Sequence, residues 1–317
     1  MALPVLAKTW LYAVNQSIAP QGSALATMRR VLRTLVDSML GFATSPWTVQ
    51  GSSDSVTAGM DAVNRWVADA NLVWSGGSRS WIVLRQTGIG ATFEVCFDLS
   101  SGSSQIMTAV VSWVGFSGGS TSARPTAADE LIVANNAQWC SGSDVAHVIH
   151  AMQADDGSST RVHVVSQSTL QVSFLLFDLP MDPITGWSTP GVCVVRGATS
   201  GTIGTLTNFN SSAFSVGRHS GTMNLHWTAE AAGGSVLPST GSIGNVANEI
   251  SSEWAVSPIG VVCLASPRRG RHGRLADIWW AEEGVAHGDT YPNDASRQFV
   301  TFGGMVFPWN GSVPVLA

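Results

Sequence analysis

Charge is scarce in this chain: Lys, Arg, Asp and Glu together make up 12% of its 317 residues, about half the roughly 25% usual in a globular protein. Lysine occurs once, as Lys8, and every other basic residue is an arginine. With a net charge of −5 there is no overall basic footprint, which argues against general nucleic-acid binding. Cysteine is sparse as well. The four, at 96, 140, 193 and 263, form no CxxC pair, and three sit in the apolar runs EVCFDL, GVCVVR and VVCLAS, so neither a disulfide framework nor a zinc site is expected. No apolar run reaches the ~18 residues of a membrane-spanning helix. MALPVLAKTW lacks the basic and long apolar regions of a signal peptide, so no leader and no membrane partner are expected.

Catalytic signatures are missing too. There is no GxSxG elbow, no Gly-rich phosphate loop followed by Lys, and no GxGxxG opening a βαβ unit, which removes the usual marks of acyl transfer, phosphoryl transfer and dinucleotide binding. HVIH at 147–150, with Asp144, Asp155 and Asp156 near it in sequence, raises a metal site. It lacks the spacing and the Glu of HExxH, and no third ligand has a diagnostic position. The expectation is two partly exposed histidines beside a loop, with no metal and no cofactor.

What the chain does have is apolar and small. Hydrophobic residues are 44% of it, with 13 Trp and 33 Gly. Ser23 followed by Leu25, Met28, Val31, Leu32, Leu35, Val36, Met39 and Leu40 predicts an amphipathic helix over about 24–40, with Arg29, Arg30, Arg33 and Asp37 off the apolar stripe and Gly41 as a C′ glycine. DAVNRWVADA (61–70) is a weaker helical candidate. Beyond residue 72 short β-like runs recur between Gly, Ser, Thr and Pro breaks: 80–86, 92–99, 106–115, 161–167, 170–178, 191–197, 222–228, 260–266, 275–281 and 299–307. The first two predict a hairpin. The fold expected is mainly β, an antiparallel β-sandwich or jelly-roll-like domain over 72–317, preceded by an N-terminal arm (1–71) that carries the amphipathic helix.

Three stretches invite a function. FGGMVFPWNGSVPVLA ends the chain without a charge, and Phe307, Pro308, Trp309, Val313 and Leu316 need covering by the chain's own core or by a neighbouring copy. Pro308 and Pro314 predict edge pairing for this segment, with Trp309 as its anchor. PRRGRHGR (267–274) concentrates Arg268, Arg269, Arg271 and Arg274 in a Gly-containing loop, open to three readings: a contact between subunits, a plain solvated turn, or a grip on phosphates. Trp279 and Trp280 share a segment with Asp277, Glu282, Glu283, Asp289 and Asp294, the residue types of a sugar-stacking platform and a carboxylate pair for glycan cleavage. The simpler reading is a strand with one ring in the core and one at an interface.

GRHGRLADIWWAEEGVAHGDTYPNDASRQFVTFGGMVFPWNGSVPVLA (270–317), SPWTVQGSSDSVTAGMD (45–61) and SWIVLRQTGIGATFEVCFDLS (80–100) resemble virion structural proteins of tailed bacteriophages. In that group a start like MALPVLAKTW, a GDTYP turn and a PWNGSVP ending recur at similar places. The resemblance implies a non-enzymatic building block of the tail, neck or capsid surface. It would be made in the host cytoplasm, located in the virion, and partnered by copies of itself and other virion proteins. It brings no active-site residues. A carbohydrate-binding or glycan-degrading module at a bacterial surface, and a capsid decoration protein, are the alternatives.

Overall fold

Ser23 has an extended backbone, and its hydroxyl accepts a hydrogen bond from the Ala26 amide, which caps the helix α1, Ala24–Leu40. Met28, Val31, Leu32, Leu35, Val36 and Met39 are completely buried, as their three- and four-residue spacing requires. Arg33, expected off this stripe, is buried too. Its Nε reaches Asp37 Oδ2, one turn on, at 2.7 Å. Gly41 does not adopt the left-handed conformation of a C′ glycine: φ is −80°, and its amide donates to the Asp37 carbonyl. A Cβ there would lie 2.9 Å from that oxygen, so close approach rather than a positive φ selects glycine.

The computed structural model describes residues 6–53, 80–88, 91–99, 107–112, 114–120, 123–128, 130–134, 144–166, 171–177, 193–195, 216–217, 222–223, 225–229, 256–263, 270–281, 290–291, 299–302 and 305–309. Apart from α1 they are mainly antiparallel β. In chain order the strands are β1 (Trp10–Ile18), β2 (Trp47–Ser52), β3 (Ser80–Gly88), β4 (Ala91–Leu99), β5 (Met107–Ser112), β6 (Leu131–Ala134), β7 (His147–Ala154), β8 (Thr160–Ser166), β9 (Gln171–Phe177) and β10 (Cys193–Val195). There follow β11 (Val216–Gly217), β12 (Thr222–Met223), β13 (Leu225–Ala229), β14 (Val256–Cys263), β15 (Gly270–Ala281), β16 (Thr290–Tyr291), β17 (Phe299–Phe302) and β18 (Met305–Pro308). The first sheet has the order β1-β7-β8-β9-β10, the second β2-β3-β4-β5-β6, and the third β13-β14-β15-β18-β17-β16, while β11 and β12 pair separately.

One core joins α1 to the first two sheets. Ile149, Ala151, Val162, Val164, Leu175 and Phe177 meet Ile82, Leu84, Phe93, Val95, Phe97 and Val111 around the helix. Trp47 of β2 crosses between the sheets: it packs edge-on to Phe177 at 4.9 Å and donates its indole N–H to Thr160 Oγ1 of β8 at 2.9 Å. On the outer side of the second sheet, Trp81, Val83, Cys96 and Val110 form a smaller cluster with Phe116. Gly119 lies so close to Trp81 that a Cβ would come within 2.3 Å of the ring.

The N-terminal segment, expected as an arm, contributes β1 to the first sheet and β2 to the second. The β3–β4 hairpin forms as anticipated, with Gly88 opposite Ala91. FVTFGGMVF, read as one strand, is two: Phe302 pairs with Met305, and the two residues between them are glycines, the composition that permits a two-residue hairpin loop. β18 is not an edge strand, as its proline suggested. It lies between β15 and β17, and the proline is tolerated because pairing with β15 covers only Met305 and Val306, leaving Pro308 opposite β17 alone. The segment PRRGRHGR is likewise not all loop, since Gly270 to Arg274 belong to β15 and pair with β14. The helical candidate at 61–70 lies outside the described residues.

Candidate functional site

Alternation along β7 and β8 divides their side chains between two faces. Ile149, Ala151, Val162 and Val164 enter the core with α1; His150, Met152, Arg161 and His163 take the opposite face, where register sets His150 against His163 and Met152 against Arg161. Tyr12 and Trp10 of β1 join this second face opposite Met152 and Ala154. It is covered by β15 and β18. Phe307 packs on His163 with ring centroids 4.0 Å apart, and Trp309 meets His150 edge-on at 5.3 Å and Tyr12 at 6.1 Å. All five rings are at least half-buried, with Phe307 fully so.

Polar groups are consumed in closing this seam. Asp277 Oδ1 accepts the Ala7 amide at 2.8 Å, while Oδ2 accepts the Lys8 amide at 2.9 Å and the Trp10 indole N–H at 3.0 Å. Its φ is +54°, a left-handed conformation that Asp tolerates better than most residues. Arg161 is completely buried, with its guanidinium carbon 4.2 Å from the Trp10 ring centre. It donates through one terminal nitrogen to the Asp277 carbonyl at 3.0 Å and through the other to the Ala276 carbonyl. Lys8 bonds Ser158 and lies 3.5 Å from Asp156. Burial acts to raise the Asp156 pKa, but hydrogen bonds from Ser158 and the Lys8 charge outweigh it and hold the carboxyl below its ordinary value. Burial pushes the Tyr12 phenol well above its ordinary range, against the pull of Arg161 and with the help of Asp277, so it stays protonated.

Chemically, these contacts fasten one element to another. The Asp277 carboxylate, one of the acids considered for glycan cleavage, is buried, and both its oxygens accept hydrogen bonds. The recess left between Tyr12, His150, His163, Phe307 and Trp309 measures about 10 Å³, room for about one water molecule. His147 and His150 are buried strand residues, not partly exposed ones beside a loop. Three residues apart in a strand, they point to opposite faces and do not converge. Among the described residues no group of three or more His, Cys, Asp or Glu is placed to hold a metal ion, and no helix is long and apolar enough to cross a membrane.

Of the interface candidates, Phe307, Pro308 and Trp309 are buried within the chain, so for these three the cover comes from the chain itself. Trp309 is the anchor expected. Its buried indole N–H has no acceptor among the described residues. Trp279 is half-buried, edge-on to Phe299 at 5.6 Å, and pairs with Val306; Trp280 follows it on β15 opposite Met305. Arg271 and Arg274 pair with Val262 and Gly260. Arg268, Arg269, Val313 and Leu316 lie outside the described residues, as do Glu282, Glu283, Asp289 and Asp294. Sequence reasoning missed Arg161 and Trp10. In RVHVV, Arg161 and His163 alternate with the core residues Val162 and Val164, a pattern that reads as a strand with one solvated face, so no local signal marked Arg161 for burial.

A second polar knot closes the outer side of the second sheet. Glu94 Oε1 accepts both Arg85 Nε and Nη2, at 3.1 and 2.7 Å, and its Oε2 accepts the amides of Gly115 and Phe116 at 2.8 and 3.1 Å. Burial acts to raise its pKa, yet these bonds together with the Arg85 charge hold the carboxyl below its ordinary value. The depressed pKa means that the folded state binds this proton less readily than the unfolded chain. Its stabilisation is therefore complete above an unfolded-state pKa of about 4.3 and is lost as pH falls through the lower folded value. Thermal unfolding followed between about pH 6 and 3 is expected to show Tm dropping at the acid end, and Glu94→Gln is expected to lower Tm near neutrality while flattening that drop. An unchanged acid limb in the variant would assign it to other carboxylates.

No protein-family model matches this chain, and no curated protein matches it.

Proposed function

We propose that the chain is a non-enzymatic structural subunit of a bacteriophage particle, in the tail or head–tail region, acting by packing against copies of itself and other virion proteins. The observation that carries this reading is the use made of its scarce polar groups. Asp277, Arg161 and Lys8 fasten the start of the described chain to its third sheet, and the recess beside them, lined by Tyr12, His150 and His163, has room only for about a water. Low charge and abundant Trp support extensive contact surface, because interfaces concentrate aromatics and deplete charge. The particle is read from the sequence resemblance of 270–317, 45–61 and 80–100 to tailed-phage virion proteins. We read the first two sheets, sharing one core, as the β-sandwich of such a subunit. Decoration of the capsid surface is the same reading at another position.

Light scattering on the purified full-length chain tests it. A closed oligomer of defined copy number, formed without added glycan, is the expected outcome. A monomer at all concentrations that retains a polysaccharide, and loses it on Trp280→Ala, would replace the structural reading with the surface-glycan one.

A further inference from the structure

We infer that His150 and His163, facing each other across β7 and β8 beneath Phe307 and Trp309, form an acid-released latch that holds the strand β18 on the first sheet. Both imidazoles are nearly inaccessible, at 4% and 2% exposure. They are directly opposed in the β7–β8 register, where like charges destabilise a pair. The strand that covers them brings no titratable group, since β18 is Met305, Val306, Phe307 and Pro308 and is followed by Trp309; β17 contributes only Phe299, Val300, Thr301 and Phe302. Among the described residues, the facing titratable group from β1 is Tyr12, held protonated; from β8 it is Arg161, a fixed positive charge two residues from His163; from β15 it is Asp277, whose carboxylate is engaged by Ala7, Lys8 and Trp10.

A first proton can be accommodated, because an imidazolium against an aromatic ring gains some cation–π stabilisation. A second proton places two positive charges side by side near Arg161, under an apolar lid and out of water, and desolvation then opposes the charged forms. Lifting β18 hydrates both rings and frees the Trp309 indole N–H, which has no acceptor among the described residues while the lid is closed. The open arrangement thus takes up protons more readily than the closed one. By linkage the closed form is favoured above the ordinary imidazole range, near 6.5, and loses stability as pH falls below it. What acid exposes is the apolar face of β18 and the surface of the first sheet beneath it.

Hydrogen–deuterium exchange on the full chain, corrected for intrinsic rates, at about pH 7.5 and about pH 5 reads the latch directly. Exchange at 305–309 is expected to rise about tenfold or more at the lower pH while Ala91–Leu99 in β4 stays protected, and H150Q/H163Q is expected to remove the pH difference. A flat wild-type profile, or a rise that survives in the double variant, overturns the proposal. If that variant does not fold, histidine-labelled NMR of the wild type decides. Two rings that become charged together with loss of β18 protection support the latch; two rings that become charged while β18 remains protected overturn it, as do two rings that stay neutral at the lower pH.

Discussion

Asp277→Ala is expected to destabilise the folded chain by about 3–5 kcal/mol, a lowering of Tm by roughly 5–8 °C for a chain of this length. The carboxylate is 6% exposed and collects three donors from the start of the described chain: the amides of Ala7 and Lys8 and the indole of Trp10. Alanine leaves the buried Trp10 N–H without its acceptor, a loss of about 1–3 kcal/mol by itself, and takes a negative charge away from the buried Arg161. The two backbone amides, nearer the surface, recover water. Alanine also tolerates the φ of +54° at this position less well than aspartate. Asp277→Asn separates these effects, because asparagine accepts the left-handed backbone but turns an NH2 group toward one set of donors. It is expected to recover only part of the loss. Urea unfolding of the three proteins measures the difference, and a change below about 1 kcal/mol for the alanine variant would show that the clamp is dispensable.

The clamp was not legible in the sequence, although each of its residues is visible there. Trp10 and Asp277 lie 267 positions apart, and no local periodicity announces such a contact. Local features were read well where one physical rule dominated. Helix α1 has a capping serine and an apolar stripe at helical spacing; the β3–β4 hairpin has two alternating runs and a glycine-bearing turn. The failures came where a strand is covered on both faces. HVIHAMQA is buried at every position, so it shows no alternation between apolar and polar, and its histidines suggested a surface. β1 was lost for a related reason: a bulge between Ala13 and Gln16 interrupts its pairing with β7 and breaks the period-two pattern. The arginines of PRRGRHGR suggested a loop by their charge, yet Arg271 and Arg274 stand in the ladder of β15. For β1 and β7 the missing information is what lies on the second face, and that is supplied by the third sheet, assembled from residues more than a hundred positions away.

Trp47→Ala is expected to cost about 4–5 kcal/mol, near the upper end for removing a buried aromatic. Trp47 is 3% exposed and lies on β2, the edge strand of the second sheet, but its partners span both sheets. Phe93 of β4 meets it edge-on at 5.7 Å and Phe177 of β9 at 4.9 Å, while its indole N–H is bonded to the buried Thr160 hydroxyl of β8. Truncation therefore opens a cavity between the sheets and also leaves the Thr160 oxygen without its donor. Trp47→Phe keeps most of the packing and loses only the hydrogen bond and part of the ring, so it is expected to cost about 1–2 kcal/mol. The contrast between the two variants isolates volume from polarity. A double-mutant cycle of Trp47→Ala with Phe177→Ala carries the test to the sheet–sheet contact itself, with a coupling of about 0.5–1.5 kcal/mol expected for a close aromatic pair. Strict additivity would mean that the two sheets are held by the helix between them rather than by direct packing. A domain of ordinary stability has only about 5–15 kcal/mol in total, so the alanine variant is expected to be scarcely folded at 37 °C, and its soluble yield should fall accordingly.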